Sequence, residues 1–311
     1  MLDYHLHLWP HTEHETPLRL EQLAEYCERA QAAGVTELAV TEHLFRFRQA
    51  DALLAGFWDD ARVPPALAES MARYWKFHAT ADLDAYLECA LEAKAAGLPI
   101  VIGLEVDYYE GRMDTVAGLL ADHPFDVLLG SVHWVGAWRF DDLSDPVSMA
   151  EWSTRDVDAC WDAYTEAMEE LAATRSCDVL AHPDLIKVAG HVPAAPAEWW
   201  DRIAEAAASS GMAAEVSSAG WRKPVGEQYP AAGLLDRFVA RGVPLTTASD
   251  AHRLEHVADR ADDLRAVLAA AGAGSLQAYR GRVGHTVDVS PSPAQPSDLS
   301  GPAEPAEGGG A

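Results

Sequence analysis

One alternation constrains this chain more than any other feature. A short aliphatic run ends in His, Glu or Asp, and a longer helix-patterned stretch follows. Seven such runs occur, at 2–5, 37–41, 99–106, 126–132, 178–181, 213–217 and 244–249. They are short, aliphatic and β-branched, as strands covered on both faces should be. Between them, residues 18–33, 83–96, 155–174, 198–209 and 234–241 are patterned as helices. Several of these stretches run into a glycine and then the next strand, at Gly34, Gly97, Gly211 and Gly242, as helix C-termini do. Seven βα units in 311 residues predict a parallel barrel rather than an open sheet. Residues 44–80, rich in Arg, Trp and Phe, interrupt the alternation after the second run. Loops after strands build the active face of a barrel, so this insertion is expected to cover the site as a lid.

Composition narrows what such a barrel can act on. With 49% hydrophobic residues the chain can bury a sizeable core. Lys plus Arg number 23 against 49 Asp plus Glu, a net charge of −26 that repels a nucleic-acid backbone. No run of 18 apolar residues offers a membrane span. MLDYHLHLWP lacks the basic-then-apolar layout of a secretory signal. Four cysteines without CxxC spacing fit a reducing compartment, so a cytoplasmic protein is expected. GxGxxG, GxxxxGK and GxSxG are absent, which leaves dinucleotide, P-loop and serine-hydrolase chemistry without support. From Ser290 the chain is rich in Pro, Gly, Ser and Ala and cannot bury enough surface to offset ordering entropy. The expected organisation is a barrel over 1–285 and a disordered tail over 286–311.

The strand ends carry the chemistry. His5 and His7, at i and i+2, point to one face of a strand and can reach one metal ion. The second strand ends Thr41-Glu42-His43 and the third gives Gly103-Leu104-Glu105. The fourth ends Ser131-Val132-His133, the fifth Ala181-His182-Pro183-Asp184, and the seventh Ser249-Asp250-Ala251-His252. Taken singly, His43 or His133 reads as a hydrogen-bonded structural histidine, and Asp250 as a helix N-cap. Taken together at one end of one barrel, unpaired polar groups would be costly, and a metal centre accounts for them. Mixed His and carboxylate ligation suits zinc, iron or manganese.

The set HLH, TEH, GLE, GSVHW, AHPD and SDAH resembles the PHP (polymerase and histidinol phosphatase) superfamily of metal-dependent phosphoesterases. The stretch EVSSAGWRKPVGEQYP, 215–230, is similar to a segment of its monofunctional histidinol-phosphatase branch, in which an Arg-Lys-Pro lies near the substrate phosphate. The resemblance spans about residues 2–270. It implies a distorted (β/α)7 barrel with two to three divalent ions. In it His5, His7, Glu105 and Asp250 hold the first ion. Glu105 bridges to a second, completed by His133 and His182, and His43 with His252 holds a third. Many relatives place a His six residues after HxH, where this chain has Glu13. The remaining ligand is then expected from His14, slightly preferred, or from His11 or Glu13.

The implied activity is hydrolysis of a small phosphate monoester, L-histidinol phosphate above others, as a step of histidine biosynthesis. Phosphate monoesters are among the slowest bonds to hydrolyse unaided. A metal pair about 3.5–4 Å apart can clamp the phosphoryl group and acidify a bridging water, whose hydroxide attacks phosphorus. Glu105, Asp250, His252 and Arg222 are the candidate catalytic residues. Arg222, with Lys223, is expected to bind the phosphate in an otherwise repulsive field. An amidohydrolase also opens with HxH on a barrel, but would want a Lys after strand four, where this chain has His133. Another phosphate ester as substrate and a non-catalytic PHP domain are the remaining alternatives.

Overall fold

The structure is a computed structural model that describes residues 1–11, 14–60 and 62–289. Seven parallel strands follow one another around the sheet in chain order. They are β1 (Leu2–Asp3), β2 (Glu37–Val40), β3 (Ile100–Asp107), β4 (Val127–Ser131), β5 (Val179–Leu180), β6 (Ala213–Ser217) and β7 (Leu245–Ala248). The last strand returns to the first. Tyr4 N donates to the Thr247 carbonyl at 2.9 Å, Asp250 N to that of His5 at 2.8 Å, and His7 N to that of Ala251 at 2.7 Å. The expected (β/α)7 barrel is present.

Among the described residues ten helices surround it: α1 (Leu20–Ala32), α2 (Arg48–Leu54), α3 (Pro65–His78), α4 (Leu83–Ala95), α5 (Met113–Leu120), α6 (Pro146–Trp152), α7 (Val157–Thr174), α8 (Ala197–Ser210), α9 (Ala232–Ala240) and α10 (Ala261–Ala270). Their starts follow local chemistry. Asp82, Asp145 and Asp156 cap α4, α6 and α7 with side chains that accept the first free amides. None of the described helices is long and apolar enough to cross a membrane.

All eight residues of β3 are buried, as its position between two paired neighbours and a helical layer requires. Gly103 lies in it because a Cβ there would stand 2.8 Å from the Val127 carbonyl oxygen and 2.9 Å from Thr41 Cγ2. β1 and β5 are shorter than the sequence suggests. Leu6 N is taken by the Thr41 hydroxyl rather than a ladder carbonyl, and His182 turns the chain out of β5 with φ 26°. In both places the ladder yields where side chains turn onto the rim.

Besides five of the helices, the sequence reading omits the antiparallel hairpin β8 (Ser275–Arg280) and β9 (Val283–Asp288). Gly281 and Arg282 join its strands with φ of 52° and 63°, as a tight type I′ turn requires. It sits under the amino ends of the strands, with Arg282 N donating to the Asp126 carbonyl at 2.8 Å. Its second strand corrects the expected boundary, because 286–288 belong to β9 and not to a tail. The rest of the expected tail, from Ser290, lies outside the described residues, as does Glu13.

Candidate metal centre

The carboxyl ends of the strands converge on Glu105, which β3 presents fully buried. Its Oε1 lies 2.9 Å from His182 Nε2 and 3.2 Å from His133 Nε2. Its Oε2 lies 2.7 Å from His43 Nδ1, 3.2 Å from His5 Nε2 and 3.4 Å from His7 Nε2. Asp250 Oδ1 stands 3.6 Å from His7 Nε2 and 3.9 Å from His5 Nε2. The strand-end residues therefore form two sets joined by one carboxylate: His5, His7 and Asp250 on one side, His133 and His182 on the other. His182 and Asp250 both hold positive φ, 26° and 48°, a strain that the surrounding structure sustains at the site.

A second ring of carboxylates backs this cluster, and sequence reasoning missed it. His5 Nδ1 meets Glu215 Oε2 at 2.8 Å and His133 Nδ1 meets Asp107 Oδ1 at 2.6 Å. His7 Nδ1 faces Glu42 Oε2 at 3.5 Å. Each contact orients its imidazole with Nε2 toward Glu105, as backing carboxylates do for metal-ligating histidines. A signal was present. Glu215 stands inside the aliphatic run Ala213–Val216, and Asp107 lies two residues beyond Glu105 on the same strand face. Buried carboxylates at such places need a partner. Asp3 does similar work at the end of β7, accepting from Ser249 N and Ala258 N at 2.7 and 2.9 Å.

The electrostatics are those of a cation site. Burial pushes the Glu105 carboxyl up, but His5, His133 and His43 outweigh it and hold the group well below the usual range. Burial likewise opposes charge on His5, yet Glu105, Glu215 and Asp250 raise it well above its ordinary value. Glu105 Oε2 is buried and makes no well-aligned hydrogen bond, although His43 Nδ1 stands 2.7 Å away. Among the described residues, four groups of nitrogen and carboxylate donors converge closely enough for a metal ion: His5 with His7 and Asp250, His5 with Glu105 and His182, His7 with His43 and His252, and His43 with Asp107 and His133. A donor set of imidazoles around a shared carboxylate fits zinc, iron or manganese.

The rim is looser. His43 and His252 both stack against His7, with ring centroids 4.1 and 4.2 Å from it and 5.7 Å from each other. The loop residue that joins them is His11, whose Nε2 lies 3.2 Å from His43 Nε2. His14 points elsewhere, stacking on Phe77 with Nδ1 3.1 Å from that residue's carbonyl oxygen. The preference for His14 thus gives way to His11. The loop is strapped by Glu15, which accepts from Arg46 at 2.7 Å, His78 at 3.0 Å and Thr80 at 2.6 Å.

A cavity of about 540 Å³ opens over the cluster, bordered by His43, His133, His182, Asp250 and His252. Leu185, Val188 and Tyr229 form an apolar wall, and Asp141, Arg222 and Lys223 complete the polar edge. The insertion at 44–80 does not border this cavity among the described residues. It buttresses the site from behind: Phe45 stacks on His43 at 4.6 Å and Tyr74 Oη lies 3.3 Å from His11 Nδ1. Arg222 is less available than its sequence suggests. Its guanidinium meets Asp259 at 3.0 Å and the Ser249 and Asp250 carbonyls at 2.6 and 3.1 Å. Lys223, one residue on, has no ion-pair partner among the described residues. Gly220 lets this loop fold back, since a Cβ there would collide with the Glu227 carbonyl. Larger clefts of about 1100 and 820 Å³ contain none of the clustered residues.

Residues 5–219 match the PHP domain family. A Deinococcus radiodurans protein named as a histidinol-phosphatase is 31% identical over 246 residues, which is 77% of this chain and 83% of that one. Two solved structures share the fold. One, a histidinol phosphate phosphatase from Lactococcus lactis complexed with zinc, L-histidinol and phosphate, has a TM-score of 0.65 at 20% identity, covering 91% of this chain and 98% of its own. The other, described as a histidinol phosphatase from Listeria monocytogenes, has a TM-score of 0.68 at 18% identity, covering 85% and 99%.

Proposed function

The chain belongs to the PHP domain family, and from that premise we propose that it is a metal-dependent phosphatase hydrolysing L-histidinol phosphate to L-histidinol and phosphate. The observation that carries the reading is Glu105, whose two oxygens face separate sets of imidazoles. His5, His7 and Asp250 would hold one divalent ion, and His133 with His182 a second, with Glu105 shared between them. His43 and His252, joined by His11, would hold an outer ion. Bound there, such ions supply Lewis acidity toward the phosphoryl oxygens and a water acidic enough to be a nucleophile near neutral pH.

The chain's own residues do the rest. Glu215 and Asp107 each accept from an imidazole Nδ1–H, so His5 and His133 keep Nε2 free to bind a metal. The phosphoryl end of the substrate rests against the cluster, where Lys223 adds a mobile cation to a strongly acidic protein. Arg222 serves it indirectly, by clamping the backbone that presents Asp250. Leu185, Val188 and Tyr229 receive the organic end and keep water from it.

Phosphate release from a panel of monoesters, measured on protein of known metal content, tests the reading. L-histidinol phosphate should lead the panel, and chelation should abolish release. Metal-loaded protein that frees phosphate from none of the esters would overturn it.

A further inference from the structure

Two adjacent aspartates follow β4, and they are used very differently. Asp142 is fully engaged: Arg139 reaches it at 3.1 Å, and it accepts from Ser144 N, Ser144 Oγ and Asp145 N at 3.1, 2.7 and 3.2 Å. Asp141 has no side-chain hydrogen bond or ion pair among the described residues, and its carboxylate borders the cavity over the cluster. Its placement does not depend on that carboxylate. Phe140 beside it is buried, with its carbonyl held by Trp152 Nε1 at 3.1 Å. Arg139 before it lies 2.9 Å from Asp145 and 4.2 Å above the Tyr74 ring. A rigid segment thus presents one unsatisfied carboxylate to the substrate space. The other acid on that border, Asp250, is taken up by His5 and His7.

We propose that Asp141 binds the ammonium group of the substrate and so selects phosphate esters of amino alcohols over esters that lack an amine. The inference rests on the reading of this cavity as a phosphatase site. A half-buried carboxylate without a partner is costly, and an ammonium ion would supply a charge-assisted hydrogen bond to it. The position suits a substrate charged at both ends. The phosphate would lie against the metal-ligating histidines and the amine against Asp141, which shares this border with Lys223. L-histidinol phosphate has this form, with its amine on the carbon next to the ester-bearing one.

The test compares L-histidinol phosphate with its amine-free counterpart, 3-(imidazol-4-yl)propyl phosphate, in metal-loaded wild type and Asp141→Asn. The wild type should favour the amine in kcat/KM by roughly 10- to 100-fold, mostly through KM. That preference should collapse toward one in Asp141→Asn and return in Asp141→Glu. Asp141→Asn keeping the wild-type preference would overturn the proposal. Hydrolysis of neither ester would instead reject the phosphatase reading. Calorimetric binding of L-histidinol and its amine-free alcohol then reads the same selectivity without turnover: its loss in Asp141→Asn supports the role of Asp141, and its retention refutes it.

Discussion

The inner cluster and the outer rim of this site use the same residue types but hold them by different means. In the inner cluster the imidazoles leave strand ends, and His5 and His133 are locked by Glu215 and Asp107 at 2.8 and 2.6 Å. On the rim, His11 comes from a loop held by the Glu15 strap, and His252 Nδ1 has nothing nearer than Asp250, 3.4 Å from its carbonyl oxygen. Backed ligands have a fixed tautomer and direction, so they bind a metal without reorganising. Unbacked ones must be ordered by the ion itself. The inner sites should therefore be tight and the outer site weak.

The largest test of that contrast is Glu105→Ala. It removes the one carboxylate shared by both inner sets, so the protein should lose more than one metal equivalent and turnover should fall by at least ~10³. Metal analysis with phosphate release reads both, and full retention of either would break the comparison at its centre. Next come Asp107→Asn and Glu215→Gln, which leave every ligand in place. Each should weaken metal binding or activity by about 10- to 100-fold, seen in competition with a chelator. Affinity equal to wild type would mean that backing carboxylates do not distinguish the two regions.

Histidine substitutions on the loop sharpen the rim. His11→Ala should lower occupancy of the outer ion while the inner two stay, and His14→Ala should change neither. The reverse pattern, read by titrating zinc into stripped protein, would restore His14 as the ligand. The smallest effect is expected at Lys223, an exposed cation. Lys223→Ala should raise KM about 2- to 5-fold with kcat unaltered, the scale of a solvent-screened ion pair. An unchanged KM would leave the phosphate to the metals alone.

The same division decides what was legible in the sequence. Strand-borne residues could be read because a polar residue that ends an aliphatic run has a fixed direction and a shared destination. His5, His7, Glu105, His133, His182 and Asp250 all meet where the alternation places them. Glu42, Asp107 and Glu215 were visible as charges in apolar surroundings, but their partners depend on barrel closure, which local pattern does not encode. Loop geometry was not legible. The choice between His11 and His14 turns on Glu15 finding Arg46, His78 and Thr80, contacts across 31, 63 and 65 residues. The ion pair of Arg222 was not legible for the same reason, since Asp259 arrives from another loop 37 residues away. The β8–β9 hairpin escaped because Arg282 stands where a tight turn usually carries glycine.

The central claim is that Glu105 bridges two metal ions, and anomalous diffraction from metal-loaded crystals tests it most directly. The account predicts two strong peaks about 3.5–4 Å apart astride the Glu105 carboxylate. One should lie within bonding distance of His5, His7 and Asp250, the other of His133 and His182. A single peak, or peaks that leave Glu105 outside bonding distance, would contradict it.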